Sequence, residues 1–481
     1  MNLELRIEFF LYNFYGLITR ILAYYYATFG FDGLSQVSNF WIQSISSGLN
    51  KHYFTSRADD FCIEDNSLTQ FLGKNFLIDQ VEEVDVNMSF SLDSDALPVG
   101  STLMYAVCRK DEKRLRNSFR KRKKGKEVIG SKAPYNPLSR VGSFVGIKVN
   151  GKINNLYNVG KKNINYKMLF YTSLVNPRDW VLVGDELWIL TNPNILVVKK
   201  NGDIQKVSNK LFSDQHSLRL HLNKQQIVMT STGNDTIFLI DVITKEIVRK
   251  WSAVENGYNH VLGKEKIMLS YKDSDEDPQV PKGYNLLKIS QLQVLRTPRQ
   301  IFHPNSAIFD DKESSGEIIY FTAFGSKTVD DQGKIVNQNG SGGKVIAIKG
   351  NNELVDVITG LNNPHGLRNI GILEGKRIYM LTESSMGTIN FYLEEEIYKW
   401  KILGKININK VPGVRFEPEL PWIMDCAVNI NKKTGDVIMS FYDGERLGMH
   451  ILRLANKGKL LQRWFISTSE SSSIQRVRVY S

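Results

Sequence analysis

A chain of 481 residues is long for one ordinary domain, and a composition of 42% hydrophobic and 23% charged residues excludes disordered and fibrous classes. The formal charge of +12 is local: residues 109–126 hold eleven Lys/Arg against two acidic residues, leaving 51 basic and 48 acidic elsewhere. Such a run suits a solvated loop that meets an acidic partner or lipid, and Phe119 is its only aromatic, so base stacking and a nucleic-acid partner are disfavoured. Cys62, Cys108 and Cys426 form no CxxC pair and no disulfide framework, which fits a reducing compartment.

At the N-terminus, FFLYNFYGLIT (9–19) is apolar and is followed by Arg20 and ILAYYYATFGF. The start lacks the basic region of a signal peptide, and Arg20 interrupts any run long enough to span a bilayer. Residues 2–28 read as a helix that packs on the body or lies on a membrane surface, within a helical extension over 1–75. The expected location is cytoplasmic, with peripheral membrane contact through 2–28 and 109–126.

From residue 76 onward, short period-2 runs alternate with Gly, Asn, Asp and Pro, and they recur in groups of four. The clearest group is SLRLHL, QIVMTST, TIFLIDV and EIVRKW over 217–251. Second-strand residues Thr191, Ser231, Ser270, Thr322, Thr382 and Ser440 stand 40, 39, 52, 60 and 58 apart, the scale of a four-stranded propeller unit. The spacing predicts an all-β, seven-bladed β-propeller over 76–481, with blades near 76–160, 161–209, 210–253, 254–298, 299–359, 360–411 and 412–468. The alternating tail 473–481 is expected to close the ring by joining the first blade. A six-bladed ring, with the first copy standing apart as an extra sheet, is the alternative.

Aligning the copies on their first strands brings Asn87, Asp179, His216, His260, Asn305, His365 and Asp425 to one position. Aliphatic residues would stand there if packing were the sole demand, so the pattern predicts a polar ring at one level around the axis. Asp and Asn at strand starts also bond the backbone of the preceding loop, which is the purely structural use of the same pattern. The chain has only seven histidines, and three fall on this ring; His303 is placed to lean in from the same rim, whereas His52, His221 and His450 are not. His216, His260 and His365 are the candidate catalytic residues, or ligands of one divalent metal, with Asp179, Asn305, Asp425 and Asn87 as binding residues. Arg219 and Arg368 each follow a ring His by three residues, and strand alternation points them to the other face.

The stretch DQHSLRLHLNKQQIVMTSTGNDTIFLIDVITKEIVRKW resembles one blade of the arylsulfotransferase-like propellers. In that family an axial His accepts the sulfuryl group, and the resemblance implies that role for His216 or His260. NNPHGL (362–367) is similar to the NPHG segment of paraoxonase-type calcium lactonases, which implies that His365 lines an active site. Each resemblance covers about one blade. Three functions follow as expectations: a small-molecule hydrolase, lyase or sulfuryl-type transferase at the axis; a non-enzymatic scaffold binding through its rim or basic loop; and a membrane-peripheral protein.

Overall fold

The computed structural model describes residues 102–109, 141–149, 166–175 and then 177–480, apart from connections such as 290–299, 325–341 and 409–421. The helical extension over 1–75, Asn87 and nearly all of the basic run 109–126 lie outside the described residues.

The described chain is all-β and its sheets are stacked as a propeller. Five blades are each built from four consecutive antiparallel strands. They are β4–β7 (Asp179–Val183, Glu186–Leu190, Asn194–Lys199, Ile204–Ser208), β8–β11 (Gln215–Leu220, Gln226–Ser231, Thr236–Asp241, Ile247–Ser252), and β15–β18 (Pro304–Phe309, Ile319–Ala323, Gly343–Ile348, Leu354–Leu361). The other two are β19–β22 (Pro364–Leu373, Lys376–Glu383, Thr388–Glu396, Lys399–Asn407) and β23–β26 (Ile423–Ile430, Val437–Asp443, Gly448–Leu454, Leu460–Ser467). A sixth blade is composite. β1 (Thr102–Arg109), β2 (Val141–Val149) and β3 (Tyr166–Val175) supply three strands, and β27 (Ser472–Tyr480) pairs antiparallel with β1 in the innermost place.

The count of seven regular blades is therefore corrected. The fourth copy forms a separate three-stranded sheet of β12 (His260–Val261), β13 (Ile267–Tyr271) and β14 (Asn285–Ile289). Its β13–β14 pair is parallel, unlike the strands of a blade. Its apolar residues Val254, Ile267 and Leu269 form a small cluster of their own. Meanwhile the blades before and after it pack directly on each other: Val228, Leu239 and Trp251 share one core with Ala307, Phe309 and Phe321. Thr232 Oγ1 donates to the Pro304 carbonyl at 2.6 Å, and Ser217 Oγ accepts the Ala307 N–H at 3.3 Å. The sequence repeat marks this segment because its strands have blade-like composition, but the ring closes without it.

Core residues lie between neighbouring sheets, which is what makes stacking obligatory, since one four-stranded sheet buries little on its own. Ser and Thr hydroxyls reinforce the joints. Ser306 Oγ pairs with Thr322 Oγ1 at 3.0 Å and accepts the Leu367 N–H of the next blade, also at 3.0 Å. Ser440 Oγ donates to the Val477 carbonyl of the closing strand at 3.1 Å.

Two deletions should behave in opposite ways in thermal denaturation. Removing 472–481 opens the ring and should lower the midpoint by about 10 °C or more, or abolish a cooperative transition. Replacing 259–298 by a flexible linker should move it by only about 4 °C or less.

Candidate functional site

The expected single ring resolves into two adjoining groups, an ionic hub and an imidazole rim. The reason is a bulge near the start of the innermost strand, which shifts register between Gln215 and Ser217, Pro304 and Ala307, His365 and Arg368, and Ile423 and Cys426. β4 pairs with β5 without one. A bulge adds a residue and re-aims the strand beyond it. Asp179 accordingly stands level with Leu218, whose N–H it accepts at 3.0 Å, and not with His216.

The hub joins five of the six innermost strands or their blades. Asp179, wholly buried at the start of β4, accepts from Arg219 of β8 and from Arg478 of β27 at 2.7 Å. Asp425 of β23 is paired with Arg368 of β19 and lies 3.1 Å from Arg476 Nε of β27. Arg219 reaches toward Asp425 as well, at 3.7 Å, and Arg476 Nε lies 3.7 Å from Asp179. Arg478 also stacks over the Trp180 ring at 4.5 Å. The Arg field holds both carboxyls below the usual carboxylate range in spite of burial, which acts to raise them. The bulges thus overturn the alternation argument: Arg219 and Arg368 belong to the axial site. Arg476 and Arg478 were missed, although their alternation in QRVRV is the signal for two side chains on one face of the closing strand.

His216 and His365 form the rim with His303. The His216 and His303 rings meet edge-on at 5.6 Å, His303 lies 4.9 Å from Phe324, Phe324 lies 5.3 Å from His365, and His365 lies 6.2 Å from Trp422. His216 Nδ1 is 2.7 Å from the Asp214 carbonyl, and His365 Nδ1 is 2.9 Å from the Asn363 carbonyl. A carbonyl only accepts, so in both rings Nδ1 carries the hydrogen and Nε2 bears the lone pair. Ser384 Oγ, 2.7 Å from His365 Nδ1, shares that hydrogen. Burial pushes His216 down to about 4, with Asp214 opposing and Arg178 and Arg476 adding to it. Burial pushes His365 down to about 3, against its bond to Asn363 and aided by His216 and Arg476. Both imidazoles are neutral at pH 7.

Asn305 donates weakly to the Pro364 carbonyl at 3.5 Å and so ties two innermost strands at this rim. His260 does not join. It is exposed on the separate sheet, its ring edge-on to Tyr284 at 5.0 Å. The proposed metal shell of His216, His260 and His365 is therefore not assembled, and among the described residues no three His, Cys, Asp or Glu side chains are grouped to hold a metal ion. His221 packs edge-on to Phe309 at 4.6 Å, and His450 is buried flat against Phe441 at 4.9 Å.

No protein-family model matches the chain, and no curated protein matches it. Its structure is similar to a periplasmic gluconolactonase of Pseudomonas aeruginosa at 13% identity, covering 82% of this chain and 90% of that one with a TM-score of 0.37. It is also similar to a streptogramin B lyase (12% identity, 69% and 81% covered, TM-score 0.36) and to a nidogen/laminin complex (10%, 79% and 98%, 0.39). The arylsulfotransferase-like reading gains no support from these likenesses. No residue role is carried over from them. No helix among the described residues is long and apolar enough to cross a membrane.

Two stability measurements test the site. Gly366 has φ +64°, and a Cβ there would stand 2.6 Å from Asp425 Oδ1 and 3.1 Å from its Cα, so Gly366→Ala should cost about 1–3 kcal/mol in chemical denaturation. Unfolded imidazoles titrate near 6.5, so below that pH the unfolded chain binds protons that folded His216 and His365 refuse. Stability should be level near pH 7 and fall as the pH drops from about 6.5 toward 4, by at most about 1.4 kcal/mol per unit for each imidazole. The double variant His216→Gln/His365→Gln should flatten that slope; an unchanged slope removes the rim as its source.

Proposed function

We propose that the protein is a small-molecule hydrolase or lyase whose general base is an imidazole of the axial rim. The observation that carries this reading is the pair His216 and His365. They come from different blades, they are held in the same tautomer by backbone carbonyls, and each presents an uncharged Nε2 with no protein hydrogen-bond partner among the described residues. A histidine retained for packing alone would satisfy or bury that nitrogen.

In such a site Nε2 takes a proton, from water attacking an acyl carbon or from carbon beside an electron-withdrawing group, and the ring's new charge is stabilised through Nδ1–H by the fixed carbonyl. His365 is the better placed of the two, because Ser384 as well as Asn363 holds its Nδ1. The nearby guanidinium groups, Arg476 foremost since it donates to the His216 carbonyl at 3.1 Å, supply positive charge for an anionic transition state. An imidazole with so low a proton affinity is a weak base, and it serves a substrate whose proton is already activated.

Turnover of a panel of γ- and δ-lactones, aryl esters and β-elimination substrates, followed by proton release and product absorbance, tests the reading. His365→Gln should lower kcat by ~10²–10⁴-fold, with the fold intact by thermal denaturation. His260→Ala should leave kcat unchanged. The acid limb of the rate should lie below about pH 5, since the bases stay unprotonated down to about 4. Turnover that survives His216→Gln/His365→Gln at full rate ends the proposal.

A further inference from the structure

Among the described residues, four guanidinium groups converge on the hub, from Arg219, Arg368, Arg476 and Arg478, against two carboxylates, from Asp179 and Asp425. The formal excess is two positive charges. The two histidines beside it are uncharged, and Asp214, the carboxylate beside His216, is already paired with Arg178 at 3.0 Å. The hub's side chains are largely removed from water, with 11%, 15%, 5% and 7% of the four Arg side chains exposed. Uncompensated charge of this kind is costly to bury.

The hydrogen-bond inventory shows the same deficit. Arg219 Nε and Nη2 and Arg368 Nε are buried and make no hydrogen bond, against one hub acceptor in the same condition, Asp425 Oδ1, 3.7 Å from Arg219 Nη2. Arg219 spends only Nη1, on Asp179 and on the Leu218 carbonyl. Burial and the like charge of Arg368 push its guanidinium down to about 9, against the pull of Asp179 and Asp425. A planar fork with an open edge is the group that recognises an oxyanion in two-point fashion.

We infer that the hub is a recognition site for a small oxyanion, a carboxylate, phosphate or sulfate group, bound by the open edges of Arg219 and Arg368. The inference extends the proposed function by making that oxyanion part of the substrate, so that the scissile or acidic centre lies at the rim while its charged end enters the axis. The two Asp groups have a different duty: they hold the forks apart and in register.

Thermal denaturation with sulfate, inorganic phosphate and acetate, titrated from 0 to ~20 mM against chloride at constant ionic strength, tests the site without any substrate. The wild type should show a saturable rise in midpoint with the oxyanions and none with chloride. Arg219→Gln and Arg368→Gln should weaken the apparent affinity by ~10-fold or more, whereas Arg249→Gln, outside the hub, should not. Because the Arg variants risk failing to fold, Asp425→Asn supplies a second reading: it adds one unit of net positive charge, so anion affinity should rise even though the unliganded protein is less stable. An oxyanion effect that does not saturate, or one unchanged in the folded Arg and Asp variants, overturns the inference. Saturable binding in a protein that turns over none of the substrate panel keeps the oxyanion site and removes the catalytic reading. Turnover of neutral and anionic substrates at equal kcat/KM removes the substrate's charged end as the occupant.

Discussion

The contact on which the rest of the structure depends is the buried meeting of Arg219, Arg368, Arg476 and Arg478 with Asp179 and Asp425. Each ion costs several kcal/mol to desolvate, and only mutual pairing in good geometry offsets that. The pairing is possible only when the ring is closed, because Arg476 and Arg478 sit on β27, at the C-terminal end of the chain, and their acceptors sit on β4 and β23. A ring that has not closed leaves Asp179 and Asp425 short of partners. Specificity for the closed form therefore resides at the axis, while the apolar clusters between neighbouring blades supply the bulk of the burial.

Much of this was legible from pattern. Period-2 runs in groups of four set the strands of the second, third, fifth, sixth and seventh copies, because each strand is bounded by turn residues and carries a buried face. The alternation of the tail places a strand where β27 stands, paired with β1. Composition failed at the fourth copy: HVLG, KIMLSY and NLLKIS have strand-like content, yet their pairing is partly parallel and their cluster is separate. Only long-range contact decides which strands join a ring, and a repeat count does not contain it.

At the site the sequence placed His216 and His365 on first strands near the axis, and it could not place the arginines. The obstacle was a single assumption, that side chains alternate without interruption. His216 itself, unpaired between Gln215 and Ser217, and the two residues between His365 and Arg368 invalidate that count. Gly366, with its positive φ and its close approach to Asp425, was the visible trace of the bulge in the second case. Ser217, at the corresponding place in β8, gives no such trace, which is why neither strand could be re-phased from residue types alone.

The hub and the rim are linked through charge. Burial is the main reason that both imidazoles hold protons poorly, and Arg476 adds a smaller push in the same direction, so the positive charge that invites an oxyanion also bears on the rim. An anion bound in the hub would offset part of that smaller contribution and leave His216 and His365 somewhat stronger bases than in its absence. A substrate that brings its own charge would thereby raise the basicity of the group that must deprotonate it or its attacking water, and a neutral analogue of the same shape would meet weaker bases.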